Sequence, residues 1–262
     1  MRLKVNKVEF AYISTPDLDN VSMELDRSEI LGIVGPNGTG KSTLNRCIDL
    51  ILKPRQGSIL LDEHDITKMN RMEIAKKMGY VPQSTTRVFP ASVIDTVLMG
   101  RRPHLGWKSS EGDLDEVLKI LELLGIVEFA MRDFNEISGG QQQKVLIARA
   151  LAQEADVLLL DEPTSNLDIR HQLEVMEILK NVVRETGISA IMAIHDLNLA
   201  SRYTDRILVM NGGKIFAAGD PASVLTVENI KRAYGVEVLV KSDGERPYVI
   251  PLRPINQVVR QE

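Results

Sequence analysis

The feature that most constrains the fold of this 262-residue chain is an octapeptide, Gly35 to Ser42, with the sequence GPNGTGKS. It fits the pattern G-x-x-x-x-G-K-[ST], whose glycines let backbone N–H groups turn inward around phosphate oxygens. The apolar run Ile30 to Val34 precedes the octapeptide, and a helical pattern follows it from Lys41. This place between a buried strand and a helix N-terminus predicts a phosphate-binding loop and disfavours a chance glycine-rich turn.

Nucleotide contacts are expected along this whole loop. Lys41 is expected to reach the outer phosphates, and the Ser42 hydroxyl to ligate Mg²⁺. A guanine-reading Asn-Lys-x-Asp motif, which a GTPase carries after the loop, is absent from the sequence that follows. The residues predicted here to bind the nucleotide are Gly35, Pro36, Asn37, Gly38, Thr39, Gly40, Lys41, Ser42 and Thr43.

Composition and charge exclude several classes of protein. Hydrophobic residues make up 44% and charged residues 26%, which is typical of a folded globular chain rather than a disordered one. Cys47 is the only cysteine, so a disulfide framework is excluded. No apolar run approaches the roughly 20 residues that span a bilayer and no signal segment is recognisable, so we expect a cytoplasmic location. The formal charge of −4 gives no electrostatic reason to expect nucleic acid as a partner.

Strand and helix patterns alternate along the chain and predict a mainly parallel sheet that is covered on both faces. A helix is predicted from Lys41 to Leu52. From about Gln83 to Leu151 strand-like runs disappear, which predicts a helical insertion, with Asp113 as the N-cap of one helix. Strands are predicted over 3–10, 21–25, 30–34, 58–61, 157–160 and 188–194, a hairpin over 207–217, and short strands from 236.

A second chemical motif follows the predicted strand at 157–160. Asp161 and Glu162 come directly after four apolar residues, so both carboxylates lie at a strand end. We expect Asp161 to hold Mg²⁺ through water, and Glu162, on the other side of the strand, to polarise an attacking water. An acidic turn after a core strand is the structural alternative, which the upstream phosphate loop disfavours.

Ile137 is followed by Ser138-Gly139-Gly140-Gln141, which we call the signature segment. The five residues resemble the signature motif of ATP-binding cassette (ABC) ATPases, Leu-Ser-Gly-Gly-Gln. Ile137 is a conservative departure from that motif and leaves its phosphate-facing part intact. A serine, two glycines and a following helix present a hydroxyl, backbone donors and a dipole end to an anion, which suits the role.

Four further residues resemble ABC motifs and appear in the order of the family. Tyr12 matches the aromatic residue that stacks on adenine, and Gln83 resembles the glutamine that senses the metal and the γ-phosphate. Asp168 ends the segment Ser165-Asn166-Leu167-Asp168, which resembles the loop through which two ATPase subunits touch. His195 follows a predicted strand and resembles the switch histidine that contacts the γ-phosphate.

The resemblance implies an α/β fold: a P-loop nucleoside triphosphatase core with a mainly parallel sheet, an N-terminal antiparallel β-subdomain and a helical insertion subdomain. The ABC domain is expected over 1–235, with the core and β-subdomain in 1–82 and 152–235 and the helical subdomain in 83–151. A small C-terminal β extension is expected over 236–262. The roles implied by the resemblance are catalysis by Glu162, His195 and Lys41, metal binding by Ser42, Gln83 and Asp161, and nucleotide binding by Tyr12, Gln83, Ser138, Gly139, Gly140, Gln141 and Asp168 besides the phosphate loop.

In this family two cassettes pair head to tail, and each ATP lies between one phosphate loop and the signature segment of the other subunit. We therefore expect a homodimer with two ATP sites. The favoured function is the ATP-hydrolysing subunit of an importer, held at the cytoplasmic face of the membrane by permease subunits and served by a substrate-binding protein. A soluble ATPase acting on DNA or ribosomes is the first alternative, and a protein that binds ATP without turnover is the second.

The segment Leu98 to His104 bears on the cargo. It resembles the Gly-Arg-x-Pro-His segment of ATPases that import iron-siderophores, haem or cobalamin, in a region of the family that touches the membrane subunit. Molybdate and other metal complexes stay open as cargo, and a solvated basic edge is the structural alternative. The acidic cluster Asp62-Glu63-His64-Asp65 is interpreted as an exposed turn rather than a metal site.

Overall fold

The computed structural model describes residues 3–83, 90–104, 111–165, 167–244 and 246–255. The strands in these ranges are β1 (Leu3–Phe10), β2 (Leu18–Leu25), β3 (Ile30–Val34), β4 (Gln56–Leu61), β5 (His64–Asp65), β6 (Met78–Val81), β7 (Val157–Asp161), β8 (Ser189–Ala193), β9 (Arg206–Asn211), β10 (Lys214–Gly219), β11 (Val236–Asp243) and β12 (Arg246–Pro254). The helices are α1 (Lys41–Ile48), α2 (Arg71–Ala75), α3 (Val93–Leu98), α4 (Glu111–Leu123), α5 (Gly139–Leu151), α6 (Ile169–Thr186), α7 (Leu197–Tyr203), α8 (Pro221–Val224) and α9 (Val227–Tyr234).

The central sheet has six strands in the order β10-β9-β3-β8-β7-β6. All neighbours are parallel except β10, which pairs antiparallel with β9. The strands β3, β7 and β8 are buried along their whole length because both faces of the sheet are covered. The mainly parallel, doubly covered sheet predicted from the sequence is confirmed.

Successive residues of the central strands point into two different cores. On β7, Leu158 and Leu160 pack in one core with residues of α5, α6 and α7, whereas Val157 and Leu159 pack in the other. The second core contains the buried face of α1, including Cys47, together with apolar residues of β1 and β2. This alternation explains why the sequence of β7 is a continuous apolar run rather than an alternating one.

Two antiparallel sheets flank the central one. The strands β2, β1, β4 and β5 form a four-stranded sheet, which matches the antiparallel β-subdomain implied by the resemblance. The strands β11 and β12 form a separate two-stranded sheet after α9. In the described part of the chain, no helix has both the length and the hydropathy that crossing a bilayer requires.

Several predicted boundaries were wrong for identifiable reasons. The first helix ends at Ile48 rather than Leu52, because Leu50 adopts a left-handed φ of 52°. The predicted N-cap Asp113 instead lies inside the first turn of α4, which begins at Glu111. The strand β6 was not predicted at all, since its four residues, Met-Gly-Tyr-Val, are too few for a clear pattern.

The acidic cluster between β4 and β5 forms an exposed turn, as expected. Asp62 and Glu63 make this turn with positive φ angles, and the carboxylate of Asp65 accepts hydrogen bonds from the backbone N–H and the hydroxyl of Thr67. The side chain of Asp65 therefore caps the short 3₁₀ turn that follows. Within the described ranges, no group of three or more acidic, histidine or cysteine side chains is placed to hold a metal ion.

Arg101 lies in the segment for which a solvated basic edge was the structural alternative, and its side chain is buried. Its guanidinium lies 3.1 Å from the Asp113 carboxylate and 3.0 Å from that of Glu154, and it donates a hydrogen bond to the Ala152 carbonyl. These contacts join the end of α3, the start of α4 and the end of α5. The neighbouring Arg102 is exposed. Arg101 therefore stabilises the packing of the three helices, and only Arg102 presents its charge to solvent.

We predict that Arg101→Ala lowers the free energy of unfolding by about 3 kcal/mol, because it removes a buried cation that contacts the carboxylates of Asp113 and Glu154. Arg102→Ala is the matched control and should change stability by less than about 0.5 kcal/mol. Urea unfolding of the two variants measures the difference. Equal midpoints for both variants would show that Arg101 has no structural role.

Candidate functional site

The phosphate loop lies between β3 and α1, as predicted. Neither Gly35 nor Gly40 can be replaced without strain. A Cβ on Gly35 would lie 2.3 Å from the Met210 carbonyl oxygen, and a Cβ on Gly40 would lie 2.5 Å from the Asp17 carbonyl oxygen. Gly40 also has a φ of 97°, which side chains rarely tolerate, and it begins α1. The two close approaches show why this loop needs glycine on both sides of its turn.

Lys41 folds back over the loop that precedes it. Its ammonium donates hydrogen bonds to the carbonyl oxygens of Gly35 at 2.8 Å and Pro36 at 3.0 Å. Burial lowers the pKa of Lys41, and the carboxylates of Glu162 and Asp161 partly offset this effect. The lysine is therefore a buried, preorganised charge at the mouth of the loop.

The carboxylate of Asp161 is held by two donors that the sequence analysis did not identify. The Asn45 side-chain amide donates to one oxygen at 2.9 Å, and the Tyr80 hydroxyl donates to the other at 2.6 Å. Asn45 lies one helical turn after Lys41 on α1, and Tyr80 lies on β6 beside β7. Burial, and then the bond to Asp161, raise the pKa of Tyr80, so it stays a hydrogen-bond donor.

Glu162 brings together two other predicted residues. Its carboxylate accepts a hydrogen bond from the side-chain amide of Gln83 through one oxygen. The other oxygen contacts Nε2 of His195. Glu162 is 8% exposed and has a φ of 49°, a left-handed conformation that is uncommon outside glycine. Its backbone N–H bonds the Ala193 carbonyl at the end of β8, which fixes this turn. Three strand ends thus meet at one carboxylate.

A cavity of about 320 Å³ opens between these groups. Its lining combines the phosphate loop with Glu162 and the two residues that contact it, Gln83 and His195. The lining residues are Asn37, Gly38, Gly40, Lys41, Ser42, Thr43, Gln83, Glu162 and His195. The structure therefore places most of the predicted phosphate-binding and catalytic residues around a single space.

The oxygen donors beside this cavity fit Mg²⁺. Ser42 and Gln83 line the cavity, whereas Asp161 is buried and is not among the lining residues. Hard oxygen ligands of this kind are those that Mg²⁺ prefers. Each oxygen of Asp161 accepts one hydrogen bond and keeps a second lone pair, so the aspartate can still bind a metal-bound water.

Tyr12 lies outside the lining of this cavity. Its ring is 55% exposed and packs edge-on against Phe10, with ring centroids 5.0 Å apart. The backbone N–H of Tyr12 bonds the Asp17 carboxylate, which holds the loop after β1. More than half of the residue is exposed, and stacking of its ring on adenine stays a prediction.

The signature segment is also absent from the lining of the cavity. Ser138 is the N-cap of α5 and forms a reciprocal capping box with Gln141. Gly139 is exposed beside them. Asp168 is the N-cap of α6, and the backbone N–H and then the ring of His171 hold the pKa of Asp168 below its usual range. Asn166, in the predicted subunit-contact loop, lies outside the described residues.

The comparisons with known proteins agree on one family. Residues 18–165 match the ABC transporter family. The chain is 47% identical to an uncharacterized ABC transporter ATP-binding protein of Methanocaldococcus jannaschii, over 96% of this chain and 98% of the relative. It is 38% identical to the petrobactin import ATP-binding protein FpuC of Bacillus anthracis, over 96% and 93% of the two chains. The cobalamin import ATP-binding protein BtuD of Halobacterium salinarum is 37% identical, over 93% of this chain and 61% of its own length.

Solved structures show the same fold. A transporter assigned to the metal-chelate type of ABC transporters superposes with a TM-score of 0.84 at 30% identity, covering 95% of this chain and 96% of the matched one. A bacterial ABC transporter cassette solved as a dimer superposes with a TM-score of 0.76 at 29% identity, covering 84% and 98%.

We predict that Tyr80→Phe raises the Mg²⁺ concentration needed for half-maximal ATP binding by about tenfold, because the supporting donor to Asp161 is lost. Titration of Mg²⁺ against a fluorescent ATP analogue measures the change. Tyr203→Phe is the control, since the Tyr203 hydroxyl donates to Glu177, which does not line the cavity. An unchanged Mg²⁺ requirement in Tyr80→Phe would remove Asp161 from metal binding or Tyr80 from its support.

Proposed function

Because the chain belongs to the ABC transporter family, whose ATP-binding proteins are ATPases, we propose that it hydrolyses ATP to drive import of a metal chelate through separate membrane subunits. The observation that carries the proposal is the convergence of Lys41, Glu162 and His195 on one cavity. A catalytic carboxylate, a phosphate-binding lysine and a histidine at strand ends are what phosphoryl transfer to water requires.

Each residue of the cavity then has a role in hydrolysis. Lys41 binds the outer phosphates, and the Glu162 carboxylate accepts a hydrogen bond from the attacking water and orients it. The ring of His195 reaches the γ-phosphate from the end of β8. Ser42, Gln83 and Asp161 would hold Mg²⁺, which neutralises charge that develops on the phosphate oxygens. Catalysis is positioning and charge stabilisation by groups already in place.

The active unit in this proposal is a head-to-tail homodimer. The signature segment lies on α5 and lines no part of the cavity described above, so a second copy must supply it to each ATP. A two-fold pair then contains two equivalent sites. The dimeric cassette that superposes on this chain supports such an arrangement. We also propose the division of the chain into a domain over 1–235 and a C-terminal extension over 236–262.

We predict that Glu162→Gln binds ATP and forms a stable dimer, with turnover lowered at least about a hundredfold, because the carboxylate that orients water is lost. Size-exclusion chromatography with Mg-ATP measures dimerisation, and phosphate release measures turnover. Glu122→Gln changes an exposed glutamate of α4 and is the control.

Near-normal hydrolysis in Glu162→Gln would remove that residue from catalysis. Hydrolysis absent from the unmodified chain, with tight ATP binding retained, would instead favour the alternative of a nucleotide-binding protein without turnover. The contacts of Glu162 with Gln83 and His195 argue against this alternative, since they arrange the groups that activate water.

A groove beside the catalytic core is the proposed docking place of the membrane permease. Its cavity of about 460 Å³ lies between α2, β6, α5 and the segment after α3, and Met72 and Met99 expose flexible apolar side chains at it. Arg71, Arg102 and Arg149 also line it. Burial raises the pKa of the lining Asp49 to about 7, so near neutral pH this carboxylate is only partly ionised and offsets only part of their positive charge. A cytoplasmic permease segment with acidic and apolar residues fits this groove.

The cargo is proposed from similarity, because the transported molecule does not pass through an ATP-binding subunit. The named import relatives act on petrobactin and cobalamin, and the superposed transporter is of the metal-chelate type. A ferric siderophore, haem or cobalamin is therefore the favoured class, and molybdate or another metal complex is the alternative. At the membrane the subunit is proposed to sit peripherally, on the cytoplasmic side.

We predict that vesicles containing the chain with its permease and substrate-binding protein hydrolyse ATP faster when the correct metal chelate is supplied. Ferric siderophore, haem, cobalamin and molybdate form the test panel. Arg102→Glu should lower the stimulated rate about tenfold by reversing a charge of the groove, with basal hydrolysis unchanged. Arg27→Glu, at an exposed site outside the groove, is the control. No stimulation by any chelate, together with tight binding to DNA or ribosomes, would overturn the importer proposal.

A further inference from the structure

His171, near the start of α6, joins two segments that the proposed dimer would use. Its backbone N–H donates to one carboxylate oxygen of Asp168 at 2.9 Å, and Nδ1 of its ring lies 2.8 Å from the other. The pKa of Asp168 is lowered, so the carboxylate is ionised at neutral pH and only accepts. Nδ1 therefore carries a hydrogen and donates a hydrogen bond to the Asp168 carboxylate.

The other edge of the His171 ring packs against the signature segment. A Cβ placed on Gly140 would come within 3.2 Å of Cδ2 and 3.3 Å of Cγ of this ring. Contacts between a real Cβ and its neighbours are seldom so close. Glycine at 140 thus allows the ring to lie directly against the backbone at the start of α5. One side chain spans the distance from the Asp168 carboxylate to the signature segment.

An ion pair one turn further along repeats the connection between the two helices. The Lys144 ammonium on α5 lies 3.1 Å from the Glu174 carboxylate on α6, and Arg170 lies 2.9 Å from the same carboxylate. Gly140 and Lys144 are four residues apart, and His171 and Glu174 are three apart, so each pair lies on one helix face. The two contacts therefore form successive layers between α5 and α6.

We propose that His171 is a positioning residue that holds the signature segment and Asp168 as one rigid unit. This inference rests on the proposed head-to-tail dimer, in which both segments face the second copy. Because the two segments then move together, contact of the loop ending at Asp168 with the second copy also places the signature segment. The signature segment is then in position for the ATP of the second copy. Displacement of catalytic groups by about 1 Å can cost up to a hundredfold in rate, so this positioning has kinetic consequences.

Two substitutions of His171 separate positioning from folding. His171→Ala removes both the hydrogen bond and the packing, and should lower kcat about tenfold. ATP affinity of the monomer should stay within twofold, because His171 is not among the residues that line the cavity beside the phosphate loop. His171→Asn keeps a donor near the place of Nδ1 and should restore kcat to within about threefold of the unmodified protein. His64→Ala, which removes an exposed histidine whose ring contacts the nearby Asp62 carbonyl, is the control.

Hydrogen exchange in the nucleotide-free monomer tests the contact without the dimer. His171→Ala should speed exchange of the backbone N–H groups over 140–143 by about fivefold or more, and His171→Asn should speed it less. Normal kcat and unchanged exchange in His171→Ala would overturn the inference. Faster exchange with normal kcat would also overturn it, since the contact would then be structural only.

Failure of this inference and failure of the proposed function give different results. If the unmodified chain neither dimerises with ATP nor hydrolyses it, the proposed function fails whatever the His171 variants do. If the unmodified chain is active and both His171 variants match it in kcat, only the positioning role fails. Equal loss of kcat in His171→Ala and His171→Asn would also count against the hydrogen bond as the source of positioning.

Discussion

The site depends on the parallel pairing of β3, β8, β7 and β6. Parallel strands end at the same edge of a sheet, so the residues that follow neighbouring strands lie close together there. The phosphate loop follows β3, His195 follows β8, Glu162 follows β7, and Gln83 follows β6. These groups lie far apart along the chain, and the sheet order alone makes them neighbours. The central strands are buried on both faces, which makes this edge a rigid platform.

Buried charge is the main cost of such a platform, and the structure compensates for it locally. Lys41 bonds two carbonyl oxygens of its own loop, and Asp161 accepts bonds from Asn45 and Tyr80. Buried ionised groups are tolerated only when hydrogen bonds replace the water they lose. The hydrogen bonds that compensate for burial also fix the orientation of each group. Stability and preorganisation therefore come from the same contacts.

In the proposed head-to-tail dimer, a second chain completes the site that is assembled at this sheet edge. The signature segment caps α5 on another part of the surface, where its serine, exposed glycine and capping box face outward. An N-terminus of this kind suits a phosphate group that comes from elsewhere. Within the chain, the ring of His171 contacts the Asp168 carboxylate and lies beside Gly140 of the signature segment.

The sequence by itself determined the phosphate loop, the carboxylate pair after β7, the signature segment and the mainly parallel sheet, because each depends on local spacing of glycines, charges or apolar residues. Only the tertiary structure decided that Asn45 and Tyr80 hold Asp161, that Arg101 is buried rather than exposed, and that His171 packs on Gly140. These contacts join residues 12 to 116 positions apart or lie between separate helices. The sequence around these residues has no local pattern that predicts their partners. Their partners depend on which helices and strands pack together, and the spacing of residues does not reveal this packing.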